Sequence, residues 1–149
     1  MIYSTFLFLD FDGVVHKKVP ENSADIFRGL AVLSKVLRLF PPIGIVISST
    51  WKQYPRDLEF AISQFPSGLR DAIVDKTPNL GGKRTRELEI ITWMRSNAVL
   101  AMNTIVLDDE PNLFDELRKR LVIVGGTRGL EDQDEGYLEK EFLRIMRSS

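Results

Sequence analysis

The chain has 149 residues, 44% of them hydrophobic and 28% charged, which fits one ordinary folded domain over residues 1–149 and excludes disordered, fibrous and membrane-embedded classes. A formal net charge of -1 supplies no global field for a nucleic-acid backbone, although it leaves room for a local basic patch. With no cysteine and a single histidine, His16, the chain lacks a disulfide framework, thiolate catalysis, cysteine-based zinc sites and multi-histidine metal centres; carboxylate, hydroxyl and lysine chemistry remain.

In chain order, Phe6-Leu7-Phe8-Leu9 is an apolar run without polar alternation, the pattern of a strand buried on both faces of a parallel sheet. It ends at Asp10-Phe11-Asp12-Gly13, so two carboxylates fall at the carboxyl end of a buried strand, where open α/β sheets bind ligands. Carboxylates this close repel unless a cation separates them or one holds a proton. The pair therefore indicates a hard divalent metal, a nucleophile beside a general acid, or both. An EF-hand calcium loop is excluded, because Val14 and Val15 stand where that loop needs an oxygen ligand and a glycine. His16 to Pro20 reads as a short flap or turn, with His16 an exposed turn residue.

Asn22 or Ser23 can cap a helix carried by Ile26, Leu30, Leu33, Leu37 and Phe40, which Pro41-Pro42 ends. Ile43 to Ile47 is a second buried strand, closed by Ser48-Ser49-Thr50. Pro55 opens a helix with Leu58, Ala61, Ile62 and Phe65 inward, and Ala72-Ile73-Val74 is a third, shorter strand before the loop from Lys76 to Gly82. A helix from about Arg84 to Asn97 takes its periodicity from Leu88, Ile91 and Met94 or Arg95. Thr104 to Leu107 is a fourth strand ended by Asp108-Asp109-Glu110, and Pro111 opens another helix. Leu121 to Val124 is the fifth strand, followed by Gly125-Gly126-Thr127, which lacks the spacing of a phosphate-binding loop. The last helix carries Leu138, Phe142, Ile145 and Met146. Trp51 and Trp93 read as packing residues rather than platforms for a base.

Alternation of this kind predicts a three-layer α/β domain around a five-stranded parallel sheet. Its strand ends deliver Asp10 and Asp12, Ser48 to Thr50, and Asp108 and Asp109 to one crevice, with Lys83 within reach. Such a set matches phosphoryl transfer through an aspartyl-phosphate. Lys83-Arg84-Thr85-Arg86 opens a helix, where the dipole disfavours cations, and a bound phosphate would resolve that conflict. The N-terminus has no basic segment or cleavage site of a secretory leader, and no run approaches the ~18 to 20 apolar residues of a membrane span, so a cytoplasmic location without a membrane partner is expected.

Asp10-Phe-Asp12-Gly-Val, Ile-Ser-Ser49-Thr-Trp, Lys83 and Leu-Asp108-Asp109-Glu stand in the order of the haloacid dehalogenase (HAD) superfamily, which the chain resembles from about Phe6 to Glu110. Ser49-Thr50-Trp51-Lys52 and the pattern Arg86-x-x-Glu89-Ile90-x-x-Trp93 are similar to capless HAD domains of RNA-repair proteins. The resemblance implies a Rossmann-like domain, Mg2+ and an aspartyl-phosphate intermediate. Carried over by position, Asp10 is the nucleophile and a metal ligand. Asp12 is the general acid and base, and binds the metal through its carbonyl. Ser49 holds a phosphoryl oxygen, Lys83 neutralises charge, and Asp108 with Asp109 completes the metal site. Ser48 and Thr50 compete with Ser49, which the Trp-Lys alignment favours, and Arg84 and Arg86 are rivals of Lys83. Gly13, Thr50, Lys52, Arg84 and Arg86 are expected at the substrate. An acid at Asp12 resembles phosphatases and mutases rather than dehalogenases or pumps. The intervals from Asp12 to Ser49 and from Thr50 to Lys83 are filled by core elements, so no cap fits. The expectation is a Mg2+-dependent phosphohydrolase for a small phosphorylated molecule or a nucleic-acid end. Its rival is a non-catalytic phospho-receiver-like domain, although receivers place the acidic pair first and the phosphorylated Asp on the third strand.

Overall fold

The computed structural model describes residues 2–19, 26–81, 83–125 and 128–147, Lys83 by its backbone alone. Strands β1 (Thr5–Leu9), β2 (Ile43–Ile47), β3 (Ile73–Lys76), β4 (Thr104–Asp108) and β5 (Leu121–Ile123) form one sheet in the order β3-β2-β1-β4-β5, every pair parallel. β1, β2 and β4 occupy the middle, where both faces are covered, which is why their residues are almost uniformly apolar. The order reverses between β1 and β4, so a crevice opens beyond the carboxyl ends of these two strands.

Alternate strand residues serve opposite layers. Leu7, Leu9, Ile45, Ile47, Ile105 and Leu107 pack with α1 (Leu30–Leu37), α2 (Pro55–Ser63), α3 (Ser67–Ala72) and α5 (Glu135–Arg147). Phe6, Phe8, Val46 and Val106 face Ile90, Trp93 and Met94 of α4 (Arg86–Ser96), together with Phe114 and Leu117. This is the expected three-layer, Rossmann-like α/β architecture, and the described connections insert no cap. Among the described residues no helix is long and apolar enough to cross a membrane.

Local boundaries depart from the sequence reading where tertiary contacts compete with periodicity. The first helix begins at Leu30, because Phe27 lies at φ 66 and the Gly29 N–H donates to Val15 O at 2.6 Å, pinning this stretch to the flap. The proposed caps Asn22 and Ser23 lie outside the described residues, and Phe40 falls beyond the helix end. Pro66 separates α2 from the unanticipated α3, which takes in Ala72, so β3 begins at Ile73 and runs past the expected end at Asp75 through Lys76.

The helix expected after Pro111 is replaced by single 3-10 turns at Pro111–Leu113 and Arg118–Arg120. Glu87 of α4 accepts the N–H groups of Asp115 and Leu117 at 2.6 and 3.1 Å, which satisfies this backbone without a helix while Phe114 and Leu117 are buried. In α4 the inward face is Arg86, Glu89, Ile90, Trp93 and Met94, and Leu88 is exposed, contrary to the expected periodicity. Two charged residues on the buried face displace the apolar signal. Of the Gly125-Gly126-Thr127 segment, only Gly125 lies within the described residues.

Candidate active site

The backbone ladder carries past the strand ends and brings the acids together. Asp10 N donates to Leu107 O, Ser48 N to Leu9 O, and Val124 N to Asp108 O, at 2.9 to 3.2 Å. Carboxylate oxygens of Asp10, Asp108 and Asp109 can all lie within 4.8 Å of one another, and Asp10 and Asp108 are buried. Arg86 reaches in from the first turn of α4, with one guanidinium nitrogen 2.7 Å from Asp108 Oδ2 and 3.2 Å from Asp10 Oδ1.

Arg86, with Lys18 of the flap on Asp109, supplies two cations against three carboxylates and does not balance them. Burial, then repulsion from Asp108, holds the Asp10 carboxyl well above its usual range against the pull of Arg86. Asp108 is raised too, by burial opposed chiefly by Arg86. Asp109 Oδ1 is buried without a hydrogen-bond partner among the described residues, while Oδ2 accepts from Lys18 of the flap at 3.0 Å. A hard divalent cation fits this donor set: all-oxygen, anionic, and with one buried oxygen left unmatched. Gly13 makes the arrangement possible, since it sits at φ 79 and any Cβ there would collide with the Asp109 carboxylate.

Asp12 is the more accessible acid, its side chain one-third exposed. The turn over Phe11 to His16 is closed by Val14 N and Val15 N donating to Phe11 O and by Gly13 N donating to His16 O, all at 3.0 Å. It returns His16 over Asp12, whose Oδ1 lies 2.7 Å from His16 Nε2 and 3.2 Å from Trp51 Nε1. Burial alone would raise the Asp12 carboxyl, but these hydrogen bonds outweigh it and hold it below the usual range. The expectation of an exposed His16 is corrected: the residue is 2% exposed. The apolar Val14-Val15 pair, fully buried, draws the turn inward and was the available signal. Trp51 does pack, against Phe11 and Phe27, and also serves Asp12; Trp93 packs on Phe6 and Phe8 and donates to Asp75.

Among the hydroxyls, Ser48 and Ser49 are buried and Thr50 is half-buried. Ser49 Oγ accepts from Trp51 N at 3.2 Å, starting the turn Thr50–Gln53, whereas Ser48 Oγ is buried with no partner among the described residues. Lys52 is buried, its ammonium 2.7 Å from Glu89 Oε1. Burial lowers the Lys52 pKa despite the support of Glu89. Glu89 Oε2 also accepts from Leu80 N at 2.8 Å, tying the loop after β3 to α4. Of the rival cations near the helix start, Arg86 is placed on the acids and Arg84 is exposed; the Lys83 side chain lies outside the described residues. Glu89 had no assigned role in the sequence reading, although the Arg86-x-x-Glu89-Ile90-x-x-Trp93 pattern contains it, because a single acid amid a helix carries no periodic signal of what it pairs with.

A buried acid cluster at the switch point, with an accessible second acid and adjoining hydroxyls and cations, can accept a phosphoryl group and move a proton. No curated protein matches the chain. The family model described as "HAD domain in Swiss Army Knife RNA repair proteins" matches residues 6–134, from the first strand to the start of the last helix. The chain thus belongs to this family of HAD domains.

Proposed function

We propose that the protein is a Mg2+-dependent phosphomonoesterase that works through an aspartyl-phosphate on Asp10. The observation that carries this reading is the contrast between the two acids of one turn. Asp10 is buried against Arg86 and the acid cluster, whereas Asp12, two residues on, is accessible and anchored by one oxygen only. The first suits a nucleophile once a bound cation offsets the burial and repulsion that raise its pKa. The second, with Oδ2 free to exchange a proton, suits a proton carrier whose lowered pKa favours the base form that activates water.

An Asp10 oxygen attacks phosphorus, the bond from phosphorus to the ester oxygen breaks, and the departing oxygen takes a proton from Asp12. Water then gives a proton to Asp12 as its oxygen bonds to phosphorus. The bond from phosphorus to Asp10 breaks, releasing inorganic phosphate and restoring the Asp10 carboxylate. Asp10, Asp108, Asp109 and the Asp12 carbonyl would hold Mg2+, which when bound offsets phosphoryl charge and favours ionised carboxylates. Ser49, the unpartnered Ser48 hydroxyl and the Gly13 backbone are the proposed phosphoryl contacts, with Thr50 beside them. Arg86 and Lys52 supply positive charge from within, and Lys83 and Arg84 from the head of α4.

An uncapped crevice suits a phosphate on a large partner, and the RNA-repair description of the matching family supports a nucleic-acid end. The test is phosphate release with Mg2+ or EDTA from an aryl phosphate, 3′- and 5′-phosphorylated oligonucleotides, nucleotides and sugar phosphates. The expected result is Mg2+-dependent release, fastest from an oligonucleotide end and lost in Asp10→Asn. Phosphate binding without turnover would instead support a regulatory, receiver-like domain, and full activity in Asp10→Asn would overturn the covalent route.

A further inference from the structure

We propose that His16 is a positioning residue that, with Trp51, fixes Oδ1 of Asp12 and leaves Oδ2 as the oxygen that exchanges the proton. The inference rests on the phosphomonoesterase reading and adds a role that the family match does not assign.

Three contacts define the ring. The Phe27 N–H donates to His16 Nδ1 at 3.3 Å, so Nδ1 carries a lone pair and the ring proton resides on Nε2. Nε2 then donates to Asp12 Oδ1 at 2.7 Å, and Trp51 Nε1 adds a second donor to the same oxygen at 3.2 Å. The ring is held between Phe27 and Trp51, with centroids 5.1 and 5.8 Å away.

The backbone is equally constrained. Phe27 presents its N–H from φ 66, a conformation rare for a residue with a side chain. Gly129 lies against the His16 carbonyl so closely that any Cβ would overlap it. Two separate segments thus meet at this histidine. A carboxylate with one oxygen saturated by two donors has only its other oxygen left for a proton, which sets the side of the carboxylate, and so the direction, in which the proton is exchanged. That direction matters most when water is activated against the aspartyl-phosphate, because its proton must leave as the new bond forms.

Pre-steady-state release of p-nitrophenolate from p-nitrophenyl phosphate with Mg2+ tests this, because that leaving group departs without needing a proton. Wild type, His16→Ala, His16→Gln and Trp51→Phe are compared, each with its Tm. In His16→Ala the first turnover stays fast and the steady state slows by about tenfold or more, so a burst approaching one p-nitrophenolate per site appears. His16→Gln, which returns an N–H donor, restores much of the steady rate, and Trp51→Phe shows the same pattern more weakly. If His16→Ala does not fold, the burst in Trp51→Phe and the steady rate of His16→Gln decide the matter. Wild-type kinetics in His16→Ala, or equal slowing of both phases in all variants, overturns the inference while leaving the phosphatase reading intact. A wild-type protein that releases no phosphate overturns both.

Discussion

Gly13 stands where the chain turns from β1 into the flap at φ 79, with the Asp109 carboxylate packed where a side chain would go. Gly13→Ala is expected to displace Asp109, weaken Mg2+ binding by tenfold or so in calorimetry, and destabilise the fold by about 1 to 3 kcal/mol in urea. Undiminished binding would show that Asp109 is not needed there. At this scale the acids were legible in the sequence, because strand ends place them by rule: Asp10, Asp108 and Asp109 converge as the buried runs before them required. Residues acting across the crevice were not. His16 meets Asp12 only because the turn closes on itself, and Arg86 rather than the exposed Arg84 enters the cluster because α4 begins with that face inward.

Helix α4 is the element that supports the site, through Arg86 on the acids, Glu89 on Lys52 and Leu80 N, and Glu87 on the segment before β5. The buried Lys52 and Glu89 pair is costly to split, since removing one partner leaves a charge away from water. Glu89→Ala is predicted to lower stability by about 3 kcal/mol in urea unfolding, and Lys52→Met combined with Glu89→Leu to lower it much less. Equal losses in the two variants would mean that packing, not charge, dominates. The existence of α4 was readable from the sequence, but its face was not, because an arginine and a glutamate occupy buried positions that periodicity assigns to apolar residues. Likewise Pro111 signals a helix start, yet the 3-10 turns form because Glu87 supplies acceptors from another element.

Across the whole molecule, folding concentrates like charge at the switch point, so stability and function oppose each other there. The raised Asp10 pKa means that the folded state holds this proton more tightly than the unfolded chain does. Its contribution is therefore greatest at low pH and declines as pH rises from the ordinary value near 3.8 through the folded value. Without metal, Asp10→Asn, which leaves the Arg86 to Asp108 pair intact, should melt roughly 2 to 4 °C above wild type at neutral pH, and the gap should shrink toward pH 4. A gap independent of pH would contradict a raised Asp10 pKa. The parallel sheet and its layers were legible because near-continuous apolar strands alternate with amphipathic segments, a pattern few other architectures can bury.

The stereochemical course at phosphorus tests the central claim most directly, using a chirally labelled aryl phosphorothioate hydrolysed in isotopically labelled water with Mg2+. Attack by Asp10 followed by attack by water is two displacements and predicts retention of configuration. Inversion would mean that water attacks the ester directly, and Asp10 would then be a metal ligand and not a nucleophile.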